Sequence, residues 1–302
     1  MIRAVLILIA ALLAPAGLAP AQTTQPENDF GVLVMAHGGR AEWNREVAAT
    51  LAPLRRDYRL EIAFGMADPA TIQEAATRLD AQGARRIAVV RLFISGESWQ
   101  ERTEQILGLR PGAPPRPADA AHSAGHGDHG SHGMDLWRID SGARFALSGE
   151  GLAQAPEMSD VMVERVRALS RDPRRESVLI LAHGPESDSE NARWIRQIDA
   201  RAEAVRRLAP FRAVRVETLR EDWPEERAAS EARIRTFVEQ ASRDGGQAIV
   251  IPYRVQGFGP YAQVLRDLSY RSDGKGLVPS AQVEHWVRRQ AEALRASLFE
   301  RH

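Results

Sequence analysis

Short β-branched and aliphatic runs alternate with amphipathic stretches along most of the chain. GVLVMAHGG, RLEIAFGM, ARRIAVVRLFIS and ARFALSGEGL read as strands, and helix-like sequence follows them over Ala41 to Arg55, Ala70 to Gln82, Gln100 to Leu107 and Met158 to Arg171. The strand runs are nearly continuous in Val, Ile and Leu. Strands with one wet face would alternate instead, so these belong to a parallel sheet covered by helices on both sides. The fold class predicted is α/β.

The pattern then repeats. VLVMAHGG (Val32 to Gly39) returns as VLILAHGP (Val178 to Pro185), and RRIAVVRLFISGE (Arg85 to Glu97) as GQAIVIPYRVQGF (Gly246 to Phe258). EGLAQAPEMSDVMVERVRAL returns as KGLVPSAQVEHWVRRQAEAL. Self-similarity over this span points to a tandem duplication. The charged turn RDPRRE near Asp172 to Glu176 separates a first domain, 29–172 with an insertion at 111–135, from a second, 176–299.

Ahead of both halves, residues 1–21 carry one cation at Arg3, the apolar run AVLILIAALLAPAGLA and the small-residue pattern Ala19-Pro20-Ala21. This reads as a secretory signal peptide and predicts a periplasmic or secreted protein. Its apolar core is shorter than the roughly 20 residues needed to cross a bilayer, so no stable membrane span is expected after cleavage. Cysteine is absent, which removes disulfides, thiolate nucleophiles and Cys-type zinc sites, so any metal chemistry rests on His and carboxylates. The 40 Lys+Arg balance 40 Asp+Glu, which argues against a general nucleic-acid binder. The expected ligand is small.

Ligands of parallel sheets gather at the carboxyl ends of the strands. In the first half the residues there are His37 to Arg40, then Met66 and Asp68, then Ser95 to Ser98. In the second they are His183, Gly184, Glu186 and Asp188, then Glu221 and Asp222, then Gln256 to Tyr261. An imidazole and a carboxylate at neighbouring strand ends can share one divalent cation and leave coordination positions open.

AHGGR, AFGMADPATIQEAATRLDAQGARRIAVVRLFISGES and the second AHG resemble the ATP-independent class II chelatases of the sirohydrochlorin cobaltochelatase type. The resemblance covers nearly all of the first mature half and the second more weakly. It implies two similar chelatase-like halves, each a parallel sheet flanked by helices, and insertion of Co(II), or of Ni(II) or Fe(II), into a tetrapyrrole between them. Metal is then substrate, and no organic cofactor is expected. The family's His after the first strand matches His37, while its second His falls at Glu97, so His37 and Glu97 are the implied catalytic and metal-binding pair. Carboxylate in place of imidazole shifts the site toward harder ligation. A simpler role for Glu97 is as an acid at a helix N-terminus. In the second half Phe258 stands where Glu97 stands, which leaves the role of His183 uncertain and without an obvious partner. Tyr253, Phe258 and Tyr261 then suggest an apolar wall for the macrocycle, and Arg40, Arg91 and Arg254 partners for its carboxylates.

The insertion RPGAPPRPADAAHSAGHGDHGSHGMD is a Pro/Gly-rich loop in which His122, His126, His129 and His132 hold half of the eight histidines. Such a tract binds divalent ions without a preformed pocket, which fits a metal-loading arm or a solvated linker with incidental affinity. An exported chain lacking the family's second His also fits an alternative function, that of a non-catalytic periplasmic metal- or tetrapyrrole-binding protein. Amino-terminal sequencing of an exported fraction tests the signal reading. A mature start at or near Gln22 is expected, and intact Met1 in soluble cytoplasm would remove the case for export.

Overall fold

The computed structural model describes residues 29–118 and 135–300. In the first half strands β1 (Phe30–Ala36), β2 (Arg59–Phe64), β3 (Arg86–Leu92) and β4 (Arg144–Leu147) form one parallel sheet in the order β2-β1-β3-β4. Helices α1 (Ala41–Leu51), α2 (Pro69–Ala81), α3 (Gln100–Ile106) and α4 (Glu157–Leu169) connect and follow them. The second half repeats this with β5 (Glu176–Ala182), β6 (Ala213–Thr218), β7 (Gln247–Tyr253) and β8 (Tyr270–Arg271), ordered β6-β5-β7-β8, and with α5 (Asp188–Leu208), α6 (Pro224–Ala241), α7 (Tyr261–Val264) and α8 (Ala281–Glu300). The expected α/β class with two similar halves is present. Helix α1 stops earlier than its periodicity suggests. Pro53 lacks the N–H that the α ladder needs, and a 3₁₀ turn over Ala52–Arg56 takes its place.

Side-chain alternation on the strands builds three cores. Val32 and Val34 of β1 and Val178 and Ile180 of β5 face one shared central core, while Leu33 and Met35 pack under α2 and Leu179 and Leu181 under α6. The helices filling the shared core are exchanged between halves. Helix α4 follows the first sheet yet packs on α5 and β7, and α8 follows the second sheet yet packs on β3, β4 and α1. Trp286 of α8 is fully buried and donates its indole N–H to Glu150 Oε1 at 3.0 Å. Tyr253, also fully buried, donates its hydroxyl to the Leu152 carbonyl at 2.8 Å across the halves.

The segments leading into α4 and α8 are held alike. Leu152 N donates to Phe93 O and Ala153 N to Ile94 O at 3.0 and 2.8 Å, and Leu277 N donates to Arg254 O and Val278 N to Val255 O at 2.8 and 2.9 Å. These are the positions that the internal sequence alignment places opposite each other.

Glu176 ties the connection between the halves to the second sheet. It is 1% exposed, and its carboxylate accepts from Ser170 Oγ, Arg171 N, Asp172 N and Arg271 Nη1. Burial alone would push the carboxyl up, but these hydrogen bonds outweigh it and hold the group below its usual 4.5. A depressed carboxylate contributes stability that is present above its unfolded value and is lost as pH falls through the folded one. Chemical denaturation should therefore find Glu176→Gln about 1–3 kcal/mol less stable at pH 7. The deficit should shrink on acidification below pH 4.5. A deficit that stays constant with pH would remove the charge from the account.

Candidate functional site

Loops at the carboxyl ends of the third strands reach across between the halves. The loop after β3 reaches α5, where Arg193 Nη2 and Nε donate to the two oxygens of Glu97 at 2.8 and 3.2 Å. The loop after β7 reaches α1, where Gln256 Nε2 donates to Trp43 O at 2.6 Å and to Glu46 Oε2 at 3.2 Å. Trp43 also packs against both Gly39 and Gly257. Each half thus contributes a third-strand loop to the first helix of the other.

Both histidines of the HG pairs stand at this seam in the same posture. Gly38 and Gly184 adopt φ of 77° and 82°, and a Cβ there would lie 3.2 Å from the Cβ of Phe64 and 2.7 Å from that of Thr218, so the turn passes too close to the neighbouring strand for a side chain. The turn brings its own carbonyl to the ring. His37 Nδ1 lies 2.9 Å from Gly38 O and His183 Nδ1 2.6 Å from Gly184 O, so each ring turns its Nε2 away from its own backbone.

Their surroundings differ. His37 is exposed. His183 Nε2 lies 2.8 Å from Asp222 Oδ2 and 3.3 Å from Glu221 Oε1, with Trp223 edge-on to the ring at 5.8 Å. The expectation that His183 lacks a partner is corrected here. Its partners come from the end of β6 and not from the position of Phe258. Glu221 is largely buried, its Oε1 takes Arg254 Nη1, and its Oε2 is buried with no hydrogen-bond partner. At the matching end of β2 stand Met66, Ala67 and Asp68, and Asp68 is the cap of α2, accepting from Ala70 N at 2.9 Å. Among the described residues no three His, Asp or Glu side chains are set as a ready-made metal site. The oxygen of Glu221 that faces His183 is Oε1, the same one that accepts from Arg254.

Several other candidates are placed otherwise than the sequence suggests. Glu97 does not cap α3, whose cap residue is Trp99 at φ 58°; its carboxylate is engaged by Arg193. Tyr253 and Tyr261 are both fully buried, Tyr253 in the shared core and Tyr261 under α6, so neither forms a wall open to a ligand. Burial pushes both phenols far above their ordinary range. Phe258 is half-buried and packs on Tyr261 and Tyr270. Arg91 is 1% exposed and donates to the carbonyls of Ser148, Gly96 and Ser98 at 2.6 to 3.0 Å, so it shapes the Glu97 loop and cannot meet a substrate. Burial lowers its guanidinium to about 10. Arg254 serves Glu221, whereas Arg40 is exposed at the start of α1. His122, His126, His129 and His132 lie outside the described residues.

No family model matches the chain. A sirohydrochlorin cobaltochelatase of Methanococcoides burtonii is 35% identical over 87 residues, 27% of this chain and 66% of that protein, so the match spans just under two thirds of the relative. Among solved structures, SirB of Bacillus subtilis with Fe3+ superposes with a TM-score of 0.62 at 16% identity, over 90% of this chain and 98% of that one. A multi-domain protein of Deinococcus radiodurans, described as structurally similar to chelatases with two additional domains, gives 0.52 at 19% identity over 89% of this chain and 55% of its own. These two structures share the fold.

Proposed function

We propose that the chain is a class II metal chelatase that inserts a divalent ion, Co(II) foremost and Ni(II) or Fe(II) as alternatives, into a sirohydrochlorin-like tetrapyrrole at the seam between the two sheets. The sequence similarity to a sirohydrochlorin cobaltochelatase supports the reaction class. The observation that carries the residue assignment is the convergence of His183 with Glu221 and Asp222. One imidazole beside two carboxylates supplies donors of the kind a borderline divalent ion takes, provided that they leave their present contacts with one another and with Arg254.

Insertion of a divalent ion releases two pyrrole protons. Glu221 Oε2, buried and unpartnered, takes a proton as a nitrogen replaces it on the metal, and Asp222, largely exposed, passes protons to water. The reaction needs no covalent intermediate, so positioning and local charge account for most of the rate. His37 faces the same seam from the first half, and Arg40 is the exposed cation available to a carboxylate of the macrocycle. The His-rich insertion belongs to this proposal as a source of metal, and export as its setting. A second reading, binding without turnover, is favoured by the Glu97–Arg193 pair, which occupies the carboxylate at the family's second His position.

Purified chain mixed with sirohydrochlorin and Co(II), Ni(II) or Fe(II) should show the absorbance change of metallation. His183→Ala and Glu221→Gln should each lower the rate by about 10–100-fold or more. Glu97→Gln should leave it nearly unchanged if that residue only ties the halves together. Tight binding without metallation supports the second reading, and a silent His183→Ala beside a damaging His37→Ala would move the metal to the first half.

A further inference from the structure

The two carboxylates that meet His183 differ in what it takes to free them. The Asp222 side chain is 66% exposed, so its oxygen can turn into water with most of its hydration kept. The Glu221 side chain is 10% exposed, and the oxygen it turns to His183 is the one that accepts Arg254 Nη1. The backbone is pinned on both sides of this contact. Arg227 Nη1 donates to Glu221 O at 3.0 Å, and Leu277 N donates to Arg254 O at 2.8 Å. Rotation of the carboxylate only exchanges its two oxygens, so freeing Glu221 for another ligand requires the guanidinium to move.

Arg254 is seated where such a movement has somewhere to end. Its guanidinium lies against Gly259, where a Cβ would come within 2.7 Å of Cζ and 2.9 Å of Nε, so a side chain at that position would occupy its seat. It also lies over the ring of Tyr261, with Cζ 5.5 Å from the centroid. That ring is fully buried, and among the described residues its hydroxyl has no hydrogen-bond partner; neither has Arg254 Nε or Glu221 Oε2. After burial itself, the charge of Arg254 acts most strongly on the Tyr261 phenol and that of Glu221 next, so the three side chains form one cluster. Protein interiors leave few polar atoms unpaired, and three in one cluster call for a role.

We propose that Arg254 is the counter-ion of the empty metal site, bonded to Glu221 until a divalent ion arrives and then passed to the Tyr261 hydroxyl. This rests on the reading of His183 and Glu221 as ligands. A guanidinium bonded to a ligand oxygen repels a dication there, so the apparent affinity is reduced by the fraction of chains in which that contact is open. Tyr261 raises this fraction by offering the displaced N–H an acceptor inside the protein. The site then holds its ion loosely enough to give it up to a macrocycle. Arg254 and Tyr261 are positioning residues in this scheme, and neither touches the reacting atoms.

Calorimetry with Co(II) on the full chain, without tetrapyrrole, tests this, the binding lost in His183→Ala being assigned to the site. Arg254→Gln keeps an amide donor without the charge and should bind Co(II) about tenfold or more tightly, whereas Arg254→Lys should stay within a few-fold of the unaltered chain. Tyr261→Phe should bind several-fold more weakly, and this loss should vanish in the Arg254→Gln background, where no guanidinium is left to receive. A guanidinium that only props the carboxylate gives the opposite result: weaker binding in Arg254→Gln overturns the proposal. Because Arg254→Gln leaves a buried carboxylate without its cation, thermal unfolding checks that it folds. If it does not, Tyr261→Phe decides alone, and unchanged His183-dependent binding overturns the proposal. Full Co(II) binding by His183→Ala would overturn the metal-site reading itself, and the role of Arg254 with it.

Discussion

The exchange of α4 and α8 across a common core is the constraint on which the remaining structure depends. Neither sheet buries its inner face with its own half alone, because α8 packs on β3 and β4 and α4 on β7, beside α1 and α5 of the same core. Trp286 and Tyr253 fix that arrangement from opposite sides, each buried completely and each with its one polar atom paired. Truncating a buried aromatic of this kind costs about 3–5 kcal/mol, a large part of a domain's total stability, so the two halves fold and persist as one unit.

From that core follows the position of the strand-end loops. With the sheets locked against one set of helices, their carboxyl ends are held at a common seam, where the loop after β3 meets α5 and the loop after β7 meets α1. The two HG turns hold their rings alike, with Nδ1 at a backbone carbonyl one residue on. The halves have diverged around this shared frame. In the second half the end of β6 brings two carboxylates to the imidazole, whereas in the first half the corresponding acid, Asp68, caps a helix and Glu97 holds the seam closed with Arg193.

Much of this was legible in the chain before any coordinates. Runs rich in Val, Ile and Leu at 32–36, 87–92 and 178–182 mark strands buried on both faces, and the internal similarity pairs positions that prove to make the same backbone hydrogen bonds. The exchange of helices was not legible, because an amphipathic period tells which face is buried and not against which sheet. The family pattern points for a partner of His183 to the third strand end, where Phe258 stands, whereas Glu221 and Asp222 lie at the second. Tyr253 and Tyr261 illustrate the same limit. Their ring size suggests a ligand wall, but only packing reveals that no surface of either ring is left open.

The central claim is that the divalent ion is received in the second half. Anomalous diffraction at the cobalt edge from crystals soaked in Co(II) locates the ion directly. The account predicts a peak within coordination distance of His183 Nε2 and a carboxylate oxygen of Glu221 or Asp222, about 2.0–2.3 Å from each. A peak bound by His37 and Glu97, with His183 vacant, would contradict it.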